Sequence, residues 1–102
     1  MLMTKRKPAP VSEILIEEFM KPMELTQAQL AEAMGVQRKH VNELCNDRRN
    51  ITAATAMILA RVFGTSPDFW LNLQRRNDLW EVMHDPAKRE RIDRAKPLKK
   101  AA

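Results

Sequence analysis

Thr26-Gln-Ala-Gln-Leu-Ala-Glu-Ala-Met-Gly35-Val-Gln-Arg-Lys-His-Val-Asn-Glu-Leu-Cys-Asn46 is the stretch that decides the fold. It reads as two short helices joined by a tight turn at Met34-Gly35-Val36. Thr26 caps the first, accepting from an amide that the opening turn would otherwise leave unpaired. Gln29, three residues on, reaches back to complete a capping box, and Leu25 with Leu30 takes the positions of a hydrophobic staple. Leu30, Ala31 and Met34 share one face at helical spacing. Gly35 follows the last periodic residue, where the chain needs a left-handed backbone and a residue without Cβ adopts it at least cost.

Past the turn, Val36 tucks inward and Gln37 is placed to cap the next helix, whose inward stripe is Val41, Leu44 and Cys45. That stripe fixes what faces out. Arg38, Lys39, Asn42 and Asn46 project together, with Gln37 beside them at the helix start. Arginine matches guanine O6 and N7, and glutamine or asparagine matches adenine N6 and N7. Gln27 opens the preceding helix, where a side chain and exposed amides hold a phosphate. Asp47 to Ile51 then make a polar loop rich in arginine and asparagine. This is the arrangement of a helix-turn-helix that reads the major groove of double-stranded DNA. The plain alternative is a polar hairpin with a solvated face, but staple, box, glycine turn and basic-amide face all coincide here.

Composition is consistent with this reading. At 102 residues the chain holds one domain with a modest core. Its formal charge of +5 and pI near 9.8 favour a polyanionic partner, though charge alone is weak evidence. One cysteine excludes an internal disulfide, and Cys45 on a core stripe reads as a small buried thiol. No apolar run is long enough to span a membrane. Met1 to Lys7 leads into Pro8-Ala9-Pro10 rather than into the apolar core of a signal peptide, so a cytoplasmic location is expected.

Outside the central pair, the chain divides into an arm, three further helices and a tail. Residues 1–11 read as a flexible basic arm. Ser12 is placed to cap a first helix through about Met20, with Ile14, Leu15 and Phe19 inward and Pro22 closing it. Thr52 caps a fourth helix with the stripe Ala56, Leu59, Ala60 and Phe63, ended by Gly64. Ser66-Pro67-Asp68 starts a fifth: a cap, a proline in the first turn and an acid at the positive end of the dipole. It should run to about His84. Residues 12–85 thus form an all-α domain of five helices. Residues 86–102 make a basic tail, whose run from Lys88 to Lys100 reads as a soluble disordered extension, with a contact to DNA phosphates or to a protein partner as the alternative.

The fifth helix has apolar groups beyond a single stripe. Phe69, Leu73, Leu79, Trp80 and Met83 lie on one broad face, Leu71 and Val82 nearly opposite, and Trp70 between. A helix that only packs onto its own domain needs one stripe, so this excess points to a homodimer interface, with a small domain that simply surrounds the helix as the alternative. Catalysis finds no support. His40 and His84 lack zinc-type spacing, no serine or cysteine has a placed base, and no glycine loop cradles a nucleotide. No cofactor or metal is implied.

Leu25 to Leu73 resembles the lambda-repressor and Cro-like helix-turn-helix superfamily. More closely, the chain is similar to the HigA antitoxins, also known as addiction-module antidote proteins of the VapI type. The residues carrying this are Pro10-Val11-Ser12-Glu13-Ile14-Leu15, Phe19-Met20-Lys21-Pro22-Met23, Leu25-Thr26-Gln27, Leu30 to Val36, and above all Gly64-Thr65-Ser66-Pro67-Asp68-Phe69-Trp70-Leu71-Asn72-Leu73-Gln74. The resemblance implies an antitoxin that blocks a RelE-like, mRNA-cleaving HigB toxin and represses its own operon as a dimer on a palindromic operator; the alternative is a stand-alone Cro-like transcriptional repressor without a toxin partner. Carried over by position, Gln27 would be a phosphate contact, Gln37, Arg38, Lys39 and Asn42 would read bases, and Arg48 or Arg49 in the following loop would grip the backbone. The toxin surface does not carry over. Glu13, Glu17 and Glu18 give the first helix an acidic face that would complement a basic ribonuclease, although a solvated face explains them as well.

Overall fold

The computed structural model describes residues 6–98, and among these it contains helices and no strand. The first helix starts as α1 (Val11–Ile14) and continues directly as a π-helical stretch (Leu15–Met20). Then follow α2 (Gln27–Met34), α3 (Arg38–Cys45), α4 (Ala53–Phe63), α5 (Pro67–His84) and α6 (Pro86–Arg94). The π stretch shows in its bonds, the Lys21 amide donating to the Ile16 carbonyl five residues back at 2.8 Å.

Three sequence expectations change here. Ser12 does not cap the first helix. Pro10 holds the cap position, Val11 is already in the core, and Ser12 is buried. The arm is not free along its whole length: Asn77 of α5 donates to the Ala9 carbonyl at 3.0 Å, and Lys7 lies over the Trp80 ring at 5.7 Å. Residues 1–5 of that arm lie outside the described residues, as do 99–102 of the tail. The third change is α6, a sixth helix where a disordered extension was expected. Asp85 accepts from the Ala87 and Lys88 amides and Pro86 sits in the first turn. These are the start signals already read at Ser66-Pro67.

The core follows the predicted stripes. Leu15, Leu30, Ala31, Met34, Val41, Leu44, Ala56 and Leu59 are all buried. At the centre sits Trp70, fully buried, its ring 5.0 Å from Phe19, 5.1 Å from Phe69 and 6.0 Å from Phe63. Its indole N–H donates to Thr65 Oγ1 at 2.7 Å, satisfying the one polar group that burial would otherwise leave unpaired.

Candidate nucleic-acid interface

Local chemistry sets the angle at which α2 presents α3. The capping box is complete: Gln29 N donates to Thr26 Oγ1 at 3.1 Å, and Thr26 N to Gln29 Oε1 at 2.9 Å. Gly35 adopts φ +71°, and the Val36 amide turns back to the Ala31 carbonyl at 3.0 Å, closing the helix end as it reverses the chain. Val41 and Leu44 then anchor α3 from beneath, both essentially inaccessible.

This anchoring leaves Gln37, Arg38, Lys39 and Asn42 exposed together at the start and outer face of α3. Gln37 occupies the cap position by its backbone but makes no side-chain capping bond, so its amide remains available to a ligand. Among the described residues, Arg38 and Lys39 take no hydrogen-bond or ion-pair partner. The Asn42 Nδ2 donates to Gln27 Oε1 at 3.2 Å. One amide hydrogen is thereby fixed, while the second hydrogen and Oδ1 of this exposed residue have no partner among the described residues, and these are the two groups that adenine N7 and N6 require. Gln27, the first residue of α2, therefore orients the Asn42 side chain on the outer face of α3.

Two predicted contacts behave differently. Asn46 folds back, its Nδ2 donating to the Asn42 carbonyl at 2.7 Å, so it closes the end of α3 instead of projecting with the others. Arg49 is held by Glu43 Oε1, from Nε at 2.9 Å and from Nη2 at 2.7 Å. That hydrogen bond holds the Glu43 carboxyl below its ordinary pKa. Arg48 stays exposed without such a partner, which makes it the better placed of the two for a backbone phosphate.

Neighbouring groups are structural. Burial lowers the pKa of His40, with the Arg49 charge adding to the effect and the Glu43 charge opposing it. Burial raises that of the Cys45 thiol, whose Sγ lies 3.7 Å from Met20 Sδ, as suits a packed, unreactive thiol. Among the described residues no cluster of His, Cys, Asp or Glu could hold a metal ion. None of their helices is long and apolar enough to cross a membrane.

One contact beside this surface had no sequence signal. Asp47, in the loop after α3, accepts from the Ser12 amide at 3.1 Å and from its hydroxyl at 2.6 Å. A carboxylate 35 positions away thus caps α1 in place of a local side chain, with Asp47 itself in the left-handed region at φ +54°. Asp tolerates that conformation better than most residues. The clasp fixes the loop that carries Arg48 onto the body of the domain.

The proposed dimer residues divide into two groups. Leu73 packs against the core of its own domain, while Phe69 is exposed yet keeps its ring 5.9 Å from Phe19 and 5.1 Å from Trp70. Trp80 lies between Lys7 and the stacked His84 ring, whose centroid is 3.9 Å away. Leu79 instead joins Leu71, Val82 and Ile51 around an open depression on the other side of α5. Met83 is half-buried.

Comparison with known proteins places this architecture. Residues 16–70 match the helix-turn-helix family HTH_3. A Haemophilus influenzae protein described as an uncharacterized HTH-type transcriptional regulator is 42% identical over 93% of this chain and 89% of its own length. Antitoxin HigA-1 of Vibrio cholerae is 48% identical over 78% of this chain and 74% of its own. The solved structure of antitoxin GraA in complex with its operator superposes with a TM-score of 0.84 at 35% identity, covering 98% of this chain and all of that one. The chain belongs to the HTH_3 helix-turn-helix family, and within it to the HigA antitoxins of lambda-repressor and Cro-like fold.

Proposed function

We propose that this protein is the antitoxin and autorepressor of a HigBA-type module. It binds a palindromic operator as a homodimer through α3 and neutralises a RelE-like, mRNA-cleaving HigB toxin. The carrying observation is the exposed Gln37, Arg38, Lys39 and Asn42 face, with Asn42 oriented by Gln27. Support comes from the likeness, over nearly the whole chain, to an antitoxin solved on its operator. The test is co-expression with the product of the reading frame beside the gene. A stable complex and relief of growth arrest are expected. If no such frame exists, or its product is harmless and does not co-purify, the second reading takes over. That reading is a stand-alone repressor of the same fold, which the Haemophilus influenzae relative favours.

Dimerisation is assigned to α5, which would set two α3 helices about 34 Å apart, one turn of DNA. Since Leu73 and Trp80 are engaged within their own domain, the cleaner probes are Leu79→Glu and Val82→Glu. Each should yield folded monomers in sedimentation at tens of micromolar and lose most operator affinity. A parent protein that already sediments as a monomer there would defeat the dimer assignment.

A further inference from the structure

Residues 1–85 contain eleven Lys or Arg and eleven Asp or Glu, so the formal charge of +5 resides wholly in residues 86–102, with seven basic and two acidic side chains. The reading domain is electrically balanced, and the basic character of the chain lies in α6 and the residues after it. Building on the operator reading above, we propose that α6 is a second DNA-binding element, gripping the phosphates of duplex that flanks the bases read by α3.

The helix is well started yet unpartnered. Asp85 caps it and Pro86 opens it, but none of its residues is buried. Arg89 is taken by Asp93 at 3.2 Å. Lys88, Arg91 and Arg94 have no hydrogen-bond or ion-pair partner among the described residues, and at helical spacing they cover one arc of about 120°. Ile92 is the one large apolar residue on α6, too little to dock it into a protein groove. A bare helix of nine residues is marginal in water, so a polyanion along this arc would both neutralise and stabilise it.

Position supports the same partner. The Ile51 amide donates to Gln74 Oε1 at 2.8 Å, which ties the middle of α5 to the loop that carries Arg48. From Gln74, α5 continues ten residues to His84, about 15 Å. The start of α6 therefore lies about three turns of α5 beyond the residue tied to the loop that carries Arg48. Flexible cations there would add affinity without reading sequence.

The test uses the full chain with Lys88→Gln, Arg91→Gln and Arg94→Gln together, changes confined to exposed positions. Anisotropy titrations between 50 and 200 mM salt would use two duplexes of equal length, one from the DNA directly upstream of the gene and one scrambled. Losing three phosphate contacts should make the slope of log affinity against log salt shallower by about 2.7 per engaged subunit, a change of about 40-fold across that range. The preference for the upstream duplex over the scrambled one should not change. An unchanged slope in a variant that melts like the parent overturns the proposal, and so does a loss seen only with the upstream duplex. Parental DNA binding combined with loss of the co-expressed toxin would make α6 a protein contact instead. Should the parent show no preference for the upstream duplex, the operator reading fails, while the slope on the scrambled duplex still decides the role of α6.

Discussion

Arg38→Ala combined with Asn42→Ala will reduce operator affinity by roughly 1–3 kcal/mol for each base contact removed, with the loss repeated at each half-site a dimer engages. Both side chains are exposed and neither supports the core, so thermal melting should stay close to that of the parent. Gln27→Ala makes an informative comparison. A pure phosphate contact would weaken binding to every sequence alike. Because Gln27 also holds the Asn42 amide at 3.2 Å, its removal should in addition relax preference at the base that Asn42 reads. Competition binding against operators altered one base pair at a time separates the two effects. Parental affinity in the folded double variant would remove α3 from the reading of DNA.

Trp70→Ala carries the largest expected cost to stability. The side chain is wholly buried among three phenylalanines, and truncation of an aromatic in such a site costs about 3–5 kcal/mol. A small domain with about 5–15 kcal/mol in total would be left near its unfolding threshold. Trp70→Phe keeps most of the ring contacts and leaves only Thr65 Oγ1 without its donor, a loss on the order of 1 kcal/mol for the hydrogen bond. Urea denaturation followed by far-ultraviolet circular dichroism orders the two variants. If Trp70→Ala unfolds at the parent midpoint, the aromatic cluster is not what joins α5 to the rest.

What could be read from sequence was local. The Thr26–Gln29 box, the Gly35 turn and the stripes of α2, α3 and α4 each depend on residues within a few positions, where spacing and chemistry decide together. Contacts between elements left no such trace. Nothing near Ser12 announces that Asp47 will cap its helix, and nothing in α3 alone shows that Arg49 is held by Glu43 or Asn42 by Gln27. The excess apolar surface of α5 was legible, but its division was not. Helical angles group Leu79 with either face, and only packing puts it beside Leu71 and Val82. The α6 helix is different in kind. Asp85-Pro86 is as good a start signal as Ser66-Pro67, but the basic, apolar-poor sequence behind it suggested a solvated coil.

The Ser12–Asp47 clasp also bears on how the domain comes apart. Without it, the first helix and the reading pair would be neighbours able to loosen independently. With it, the opening turn of α1 is closed only while the chain after α3 keeps its left-handed bend at Asp47. Fraying at either place exposes the other, so the two belong to one cooperative unit of local unfolding. A ligand that stiffens the loop around Arg48 should therefore slow amide exchange at the amino end of the domain, and whatever pulls on α1 should loosen that loop.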